Sequence, residues 1–152
     1  MLKRTKYIVA ILAVCFAASQ ALRPARTNPP IDERRTIQAQ TGMPPEIAAI
    51  IGRACQDCHS YKTVWPWYSE IAPSSWLLIS DVNEARKHLN LSDFARYNKG
   101  VQRDRLDMMC MEVKAGDMPL WYYKPLHPQA RLTPGEIQTL CAWTTAEQTR
   151  LQ

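Results

Sequence analysis

The sequence predicts an all-α fold. Several stretches repeat apolar residues every three to four positions, each is bounded by a helix start or stop signal, and no run alternates apolar with polar residues long enough to argue a strand. About four helices are expected, with a long irregular segment, 116–132, before the last one. At 152 residues, 46% hydrophobic and 22% charged, the chain has the size and composition of one globular domain rather than a multidomain enzyme.

The N-terminus reads as a targeting segment. Lys3, Arg4 and Lys6 precede an apolar run from Tyr7 to Ala18, and Ser19 and Ala21 stand at the small-residue positions of an export cleavage site. Residues 1–21 are expected to be a signal peptide or a membrane anchor, which places the domain outside the cytoplasm, periplasmic and either secreted or held at the inner membrane by this segment. The apolar run falls short of the roughly 20 residues of a comfortable span. Cys15, inside the run, is read as a small hydrophobe. Removing this segment lowers the net charge from +5 to +2. The basic character therefore belongs mostly to targeting, and with no recognised binding motif nucleic acid is not expected as a partner.

Residues 22–44 carry Pro24, Pro29, Pro30 and Pro44 among polar residues and are expected to form an extended proline-rich linker, with the folded domain spanning 45–150. The first helix of that domain runs from Pro45 to about Ala54, with Ile47, Ile50 and Ile51 on one face. Residues 60–73 form an aromatic loop, Trp65-Pro66-Trp67-Tyr68. Ser74 or Ser75 caps a helix reaching about Leu89, with Trp76, Ile79 and Val82 on its stripe. Val101–Ala115 places Leu106, Met109, Cys110 and Val113 at helical spacing, and Gly116 ends it. Thr133-Pro134-Gly135-Glu136 is a capping box that opens the last helix, with Ile137, Leu140, Cys141 and Thr144 inward.

Cys55-Gln56-Asp57-Cys58-His59 is a C-x-x-C-H sequence, the attachment signature of c-type haem. Two thiols one helical turn apart can each add to a vinyl group on one porphyrin edge, and the following residue places an imidazole at the iron. Cys55 and Cys58 are thus read as thioether formers and His59 as the proximal ligand of one covalent haem c. With five Cys and three His in the chain, chance supplies such a motif about 0.003 times. A thioredoxin-type dithiol would need a βαβ setting. Structural zinc would need two further ligands, and Cys110 and Cys141 stand singly on separate helices.

Candidates for the sixth iron ligand are Met118, His88, His127, Met43, Met108, Met109 and Met111. Met108, Met109 and Met111 lie in an amphipathic helix where Met is commonly core filler. Met118, in Gly116-Asp117-Met118-Pro119 just past a helix stop, is the favoured ligand, with His127 as the alternative and an open site as the third reading. His/Met ligation suits one-electron transfer, whereas an open or labile position suits a sensor or a small-ligand binder. No Ser/His/Asp set or paired carboxylates compete with this site, so the chain is not expected to be an enzyme.

These residues resemble a family of small bacterial proteins, the haem-binding domain proteins, relatives of cytochrome c. The resemblance rests on Cys55–Ser60, on Trp65-Pro66-Trp67-Tyr68-Ser69 with Ile71-Ala72-Pro73 and Ser75-Trp76, on Gly116-Asp117-Met118-Pro119-Leu120, and on His127-Pro128. It implies a cytochrome c-like fold around covalent haem, and an extracytoplasmic location. The Trp-Pro-Trp-Tyr stretch fits either a wall for a porphyrin edge or ordinary core packing. Cys110 and Cys141, each on an apolar stripe, either form a disulfide in an oxidising compartment or remain separate buried thiols. The scattered Arg86, Lys87, Arg96, Lys99, Arg103 and Arg105 read as a solvated face more readily than as a docking patch for an acidic redox protein.

Overall fold

The computed structural model describes the backbone of residues 2–152 and the side chains from Arg4 onward; the start of the expected leader, Met1 with the side chains of Leu2 and Lys3, lies outside the described residues. Seven α-helices and no strand are found among the described residues, so the fold is all-α. The first, α1 (Leu2–Ser19), keeps Tyr7, Leu12 and Phe16 exposed. No helix among the described residues is long and apolar enough to cross a membrane.

Three helices build the core. In α3 (Pro45–Ala54), Pro45 opens the helix, and Ile47, Ile50 and Ile51 face inward. In α6 (Lys99–Ala115), the Asn98 side chain caps the start by accepting from the Val101 N–H, and Leu106, Met109, Cys110 and Val113 are buried. The last, α7 (Pro134–Arg150), opens on the Thr133/Glu136 capping box and buries Leu140, Cys141, Trp143 and Thr144. Phe94, fully buried, comes from a 3₁₀ segment before α6 and belongs to the same core cluster. Fully burying each such large side chain contributes roughly 1.5–3 kcal/mol. Cys110 and Cys141 form a disulfide, with their Cα atoms 4.9 Å apart, that ties α6 to α7.

Residues 22–44 are not the free linker that their prolines suggest. Asp32 and Thr36 cap two short turns, the second being α2 (Ile37–Gln40), and Ile37 is fully buried in the core cluster. A single apolar anchor among polar neighbours leaves no periodicity to read, so the packing is legible only in three dimensions. The same segment is held further on by Asn28, whose side-chain N–H₂ donates to the Thr63 carbonyl at 2.8 Å.

In α5 (Ser74–His88) the buried stripe is Ser75, Leu78, Ile79, Val82 and Arg86. Trp76, expected inward, points outward and donates its indole N–H to the Leu22 carbonyl. Arg86, expected on a solvated face, is buried. It donates from Nε to the Ser60 carbonyl at 2.8 Å, from Nη1 to the Thr27 carbonyl at 2.8 Å, and from Nη2 to Asn28 Oδ1 and Thr63 Oγ1, both at 2.9 Å. One guanidinium thus joins the N-terminal segment to the loop that follows the C-x-x-C-H turn, which a buried cation requires of its partners.

Candidate functional site

After Ala54 the chain leaves helical geometry at Cys55 and resumes it for one turn, α4 (Gln56–His59), closed by the His59 N–H bond to the Cys55 carbonyl at 2.9 Å. Helical spacing then brings Cys55, Cys58 and His59 to one side. All three line a cavity of about 410 Å³, within the usual range for a small-molecule site. Its other walls come from α5 through Ala85 and from Leu89 just past it, from α6 through Met109 and Val113, and from the loop beyond α6 through Met118 and Tyr123.

The His59 ring has a defined tautomer. Its Nδ1 lies 3.0 Å from the Leu89 carbonyl and 3.1 Å from the Ala85 carbonyl. Carbonyl oxygens only accept, so Nδ1 carries the proton and Nε2 keeps its lone pair. The acceptors come from the C-terminal end of α5: the Ala85 carbonyl, which also accepts the Leu89 N–H at 2.8 Å, and the carbonyl of Leu89, the residue that follows the helix. Burial holds the imidazole below its ordinary pKa, against the opposing pull of the Leu89 and Ala85 bonds, so the ring is neutral at neutral pH. A neutral imidazole oriented by carbonyls through one nitrogen is the form that binds a metal through the other.

Removal from water also acts on the thiols. Burial, with the neighbouring Cys58 adding to it, pushes Cys55 up to about 12. Cys58 is likewise pushed up to about 12 by burial, with the Asp57 and Asp81 carboxylates adding to it. Both therefore remain S–H, and they are free rather than bridged to each other.

Met118 reaches the cavity because of how α6 stops. Gly116 adopts φ +83, a left-handed conformation that favours glycine, and its N–H returns to the Glu112 and Val113 carbonyls. The Met118 N–H bonds the Glu112 carbonyl at 3.2 Å, pinning the residue to the helix end. Of the other candidates for a sixth ligand, His88, Met108 and Met109 also line the cavity, whereas Met43, Met111 and His127 do not. His127 is engaged elsewhere: its Nε2 lies 2.7 Å from Tyr68 Oη, and its ring stacks on Tyr123 with centroids 3.9 Å apart.

Four residues of the site form pairs that no motif signalled. Tyr123 donates to Asp57 Oδ2 at 3.0 Å, and Tyr122 donates to Asp81 Oδ2 at 2.9 Å, closing the wall near Cys58. Burial and the Asp57 charge raise the Tyr123 phenol, burial and the Asp81 bond take Tyr122 to about 12, and burial raises Asp81. The aromatic triplet 121–123 was the available signal, but its carboxylate partners lie 41 and 66 residues away. Trp67 and Tyr68 do not wall this cavity; they line a second one of about 460 Å³ that meets the first at Cys58, Asp81, Leu120, Tyr122 and Tyr123. Trp65 lines neither.

Arg105, on α6, lines the first cavity with its Nε buried and without a hydrogen-bond partner. Among the described residues no group of three or more His, Cys, Asp or Glu is arranged to hold a bare metal ion. In comparisons with known proteins, the family described as "Haem-binding domain" matches residues 14–146. No curated protein and no solved structure matches the chain.

Proposed function

Because the chain belongs to the haem-binding domain family, we propose that it is an exported c-type cytochrome that carries single electrons between redox proteins, with haem c bound through Cys55, Cys58, His59 and Met118. The observation that carries this reading is the single cavity lined by both thiols, by His59 with Nδ1 committed to two carbonyls, and by Met118. Cys55 and Cys58 are protonated and unbridged, so each can add across one vinyl C=C, sulfur to one carbon and the thiol hydrogen to the other. His59 Nε2 and the Met118 thioether would hold the iron from this cavity. Haem supplies the one-electron iron couple, and a soft thioether favours its ferrous state relative to a second imidazole.

The remaining walls fit the same group. A porphyrin brings two carboxylates into a site that already holds Asp57, Asp81, Glu84 and Glu112, so it needs a cation, and Arg105 has a buried Nε with no partner. Arg105 would hold a propionate, and the apolar wall of Leu89, Met109 and Val113 would exclude water from the ring. The leader 1–21 supports a periplasmic location.

Met118→Ala tests the ligation. The reduced protein is expected to keep its c-type α-band, while the sulfur-to-ferric-iron absorption disappears and CO binds the ferrous form. Survival of that absorption would exclude Met118 and send the search to the other thioethers of the cavity, Met108 and Met109. CO binding to the unmodified protein would favour the sensor reading instead.

Arg105→Leu tests the propionate. Without the cation the propionate pKa rises, so the pH range over which the midpoint potential falls moves upward; Arg105→Lys restores part of the original profile. Potentiometric titration against pH reads this, and an unchanged profile would remove Arg105 from the site.

A further inference from the structure

Resting on the export reading above, we propose that the residues before Leu22 are retained as a lipid anchor and that they set the face bearing Trp67, Leu77, Trp121 and Leu126 down on the bilayer surface. The leader is part of the folded unit. Gln20, just past α1, donates its side-chain N–H₂ to the Ala72 carbonyl at 3.2 Å and accepts from the Ala72 N–H at 3.0 Å, and Ala72 is fully buried. The Leu22 carbonyl accepts from the Trp76 indole at 2.5 Å. Cleavage after Ala21 would remove Gln20 and strip both Ala72 groups of these partners. The family match also begins at residue 14, inside α1.

The face to which this segment is clamped is apolar. Trp67 is 72% exposed and Trp121 76%, with Leu77 and Leu126 more than half exposed. Trp67, Leu77 and Leu126 surround the second cavity together with Tyr122, and Trp121 packs edge-on to Tyr122 with ring centroids 5.5 Å apart. A soluble surface seldom exposes so much contiguous aromatic area, whereas Trp suits the boundary between lipid tails and headgroups. Charge agrees with lipid. Segments 20–28, 63–77 and 119–127 carry Arg23, Arg26 and Lys124 against one carboxylate, Glu70, which is ion-paired with both Arg26 and Arg23. That excess attracts anionic headgroups.

The length of α1 gives the face its role. Its apolar stretch, residues 7–18, is about 18 Å long at 1.5 Å per residue, short of a hydrocarbon core of about 30 Å. So short an anchor inserts part-way or thins the bilayer, and holds weakly by itself. The aromatic face supplies the second contact, and the Gln20–Ala72 clamp keeps it close to the end of the helix.

The full-length holoprotein, in vesicles of phosphatidylcholine with a minor share of phosphatidylglycerol, is photolabelled from a lipid carrying a diazirine near its headgroup, and adducts are mapped by mass spectrometry. Adducts are expected on 7–18, 63–77 and 119–127. Trp67→Asp with Trp121→Asp, both exposed and so compatible with folding, is expected to lose those on the last two segments and keep those on 7–18. Adducts confined to 7–18 would overturn the surface contact while leaving an anchor. Adducts spread equally over the exposed side of α6 would overturn it as well. A mature chain beginning at Leu22 would overturn retention, yet leave the haem reading untouched.

Discussion

Replacing Cys55 and Cys58 together with serine is expected to convert all bound haem from covalent to extractable. A serine hydroxyl does not add to a vinyl group under the conditions in which a thiol does, so neither thioether forms. His59 keeps its Nδ1 bonds to Ala85 and Leu89, since these depend on α4 and α5 and not on the thiols. The double variant therefore still presents an imidazole to haem, and any haem it binds leaves in acidic acetone. Each single variant retains one bond and holds haem through denaturation. Haem staining of a denaturing gel, alongside pyridine haemochrome spectra, reads the difference. Fold is a separate readout: both cysteines line a cavity wall and are only half-buried, so far-UV helix content is expected to change little. Haem that remains with the denatured double variant would sink covalent attachment through this motif.

Removing the other cysteine pair acts on stability alone. Cys110→Ala with Cys141→Ala opens a bridge that spans 31 residues of sequence. Loop-closure entropy assigns a link of that length roughly 3–4 kcal/mol. The α6–α7 interface keeps Leu106, Val113 and Leu140, so the variant still folds, with an urea midpoint lowered in proportion. The spectrum of bound haem is expected to stay the same, because neither cysteine lines the cavity. A stability loss below about 1 kcal/mol would show that the bridge does not constrain the unfolded chain as the entropy model requires.

Helices were readable wherever a stripe coincided with a cap. Thr133 and Glu136 announced α7, and Gly116 announced the end of α6, because these signals act through backbone groups of the same few residues. Reading failed where a residue is satisfied by a distant partner. Ile37 looked like part of a polar linker because its contacts lie in other helices, and Arg86 looked like a surface cation because its four acceptors come from residues 27, 28, 60 and 63. Trp76 fitted the α5 stripe as well as its neighbours did. Only the position of Leu22 made the outer side the better place for its indole N–H.

For the site, the division follows the range of the interactions. The C-x-x-C-H spacing is a local property, so the sequence by itself determined that two thiols and an imidazole share one helical turn and what cofactor they suit. Tertiary structure decided the rest. It brought the Ala85 and Leu89 carbonyls to His59 Nδ1 and thereby chose the nitrogen left with a free lone pair. It placed Met118 on the cavity and His127 off it, and left Arg105 facing the site with a donor to spend. Hydrogen bonds and cavity walls form between residues that are close in space, and a linear pattern carries that closeness only where one turn of helix supplies it.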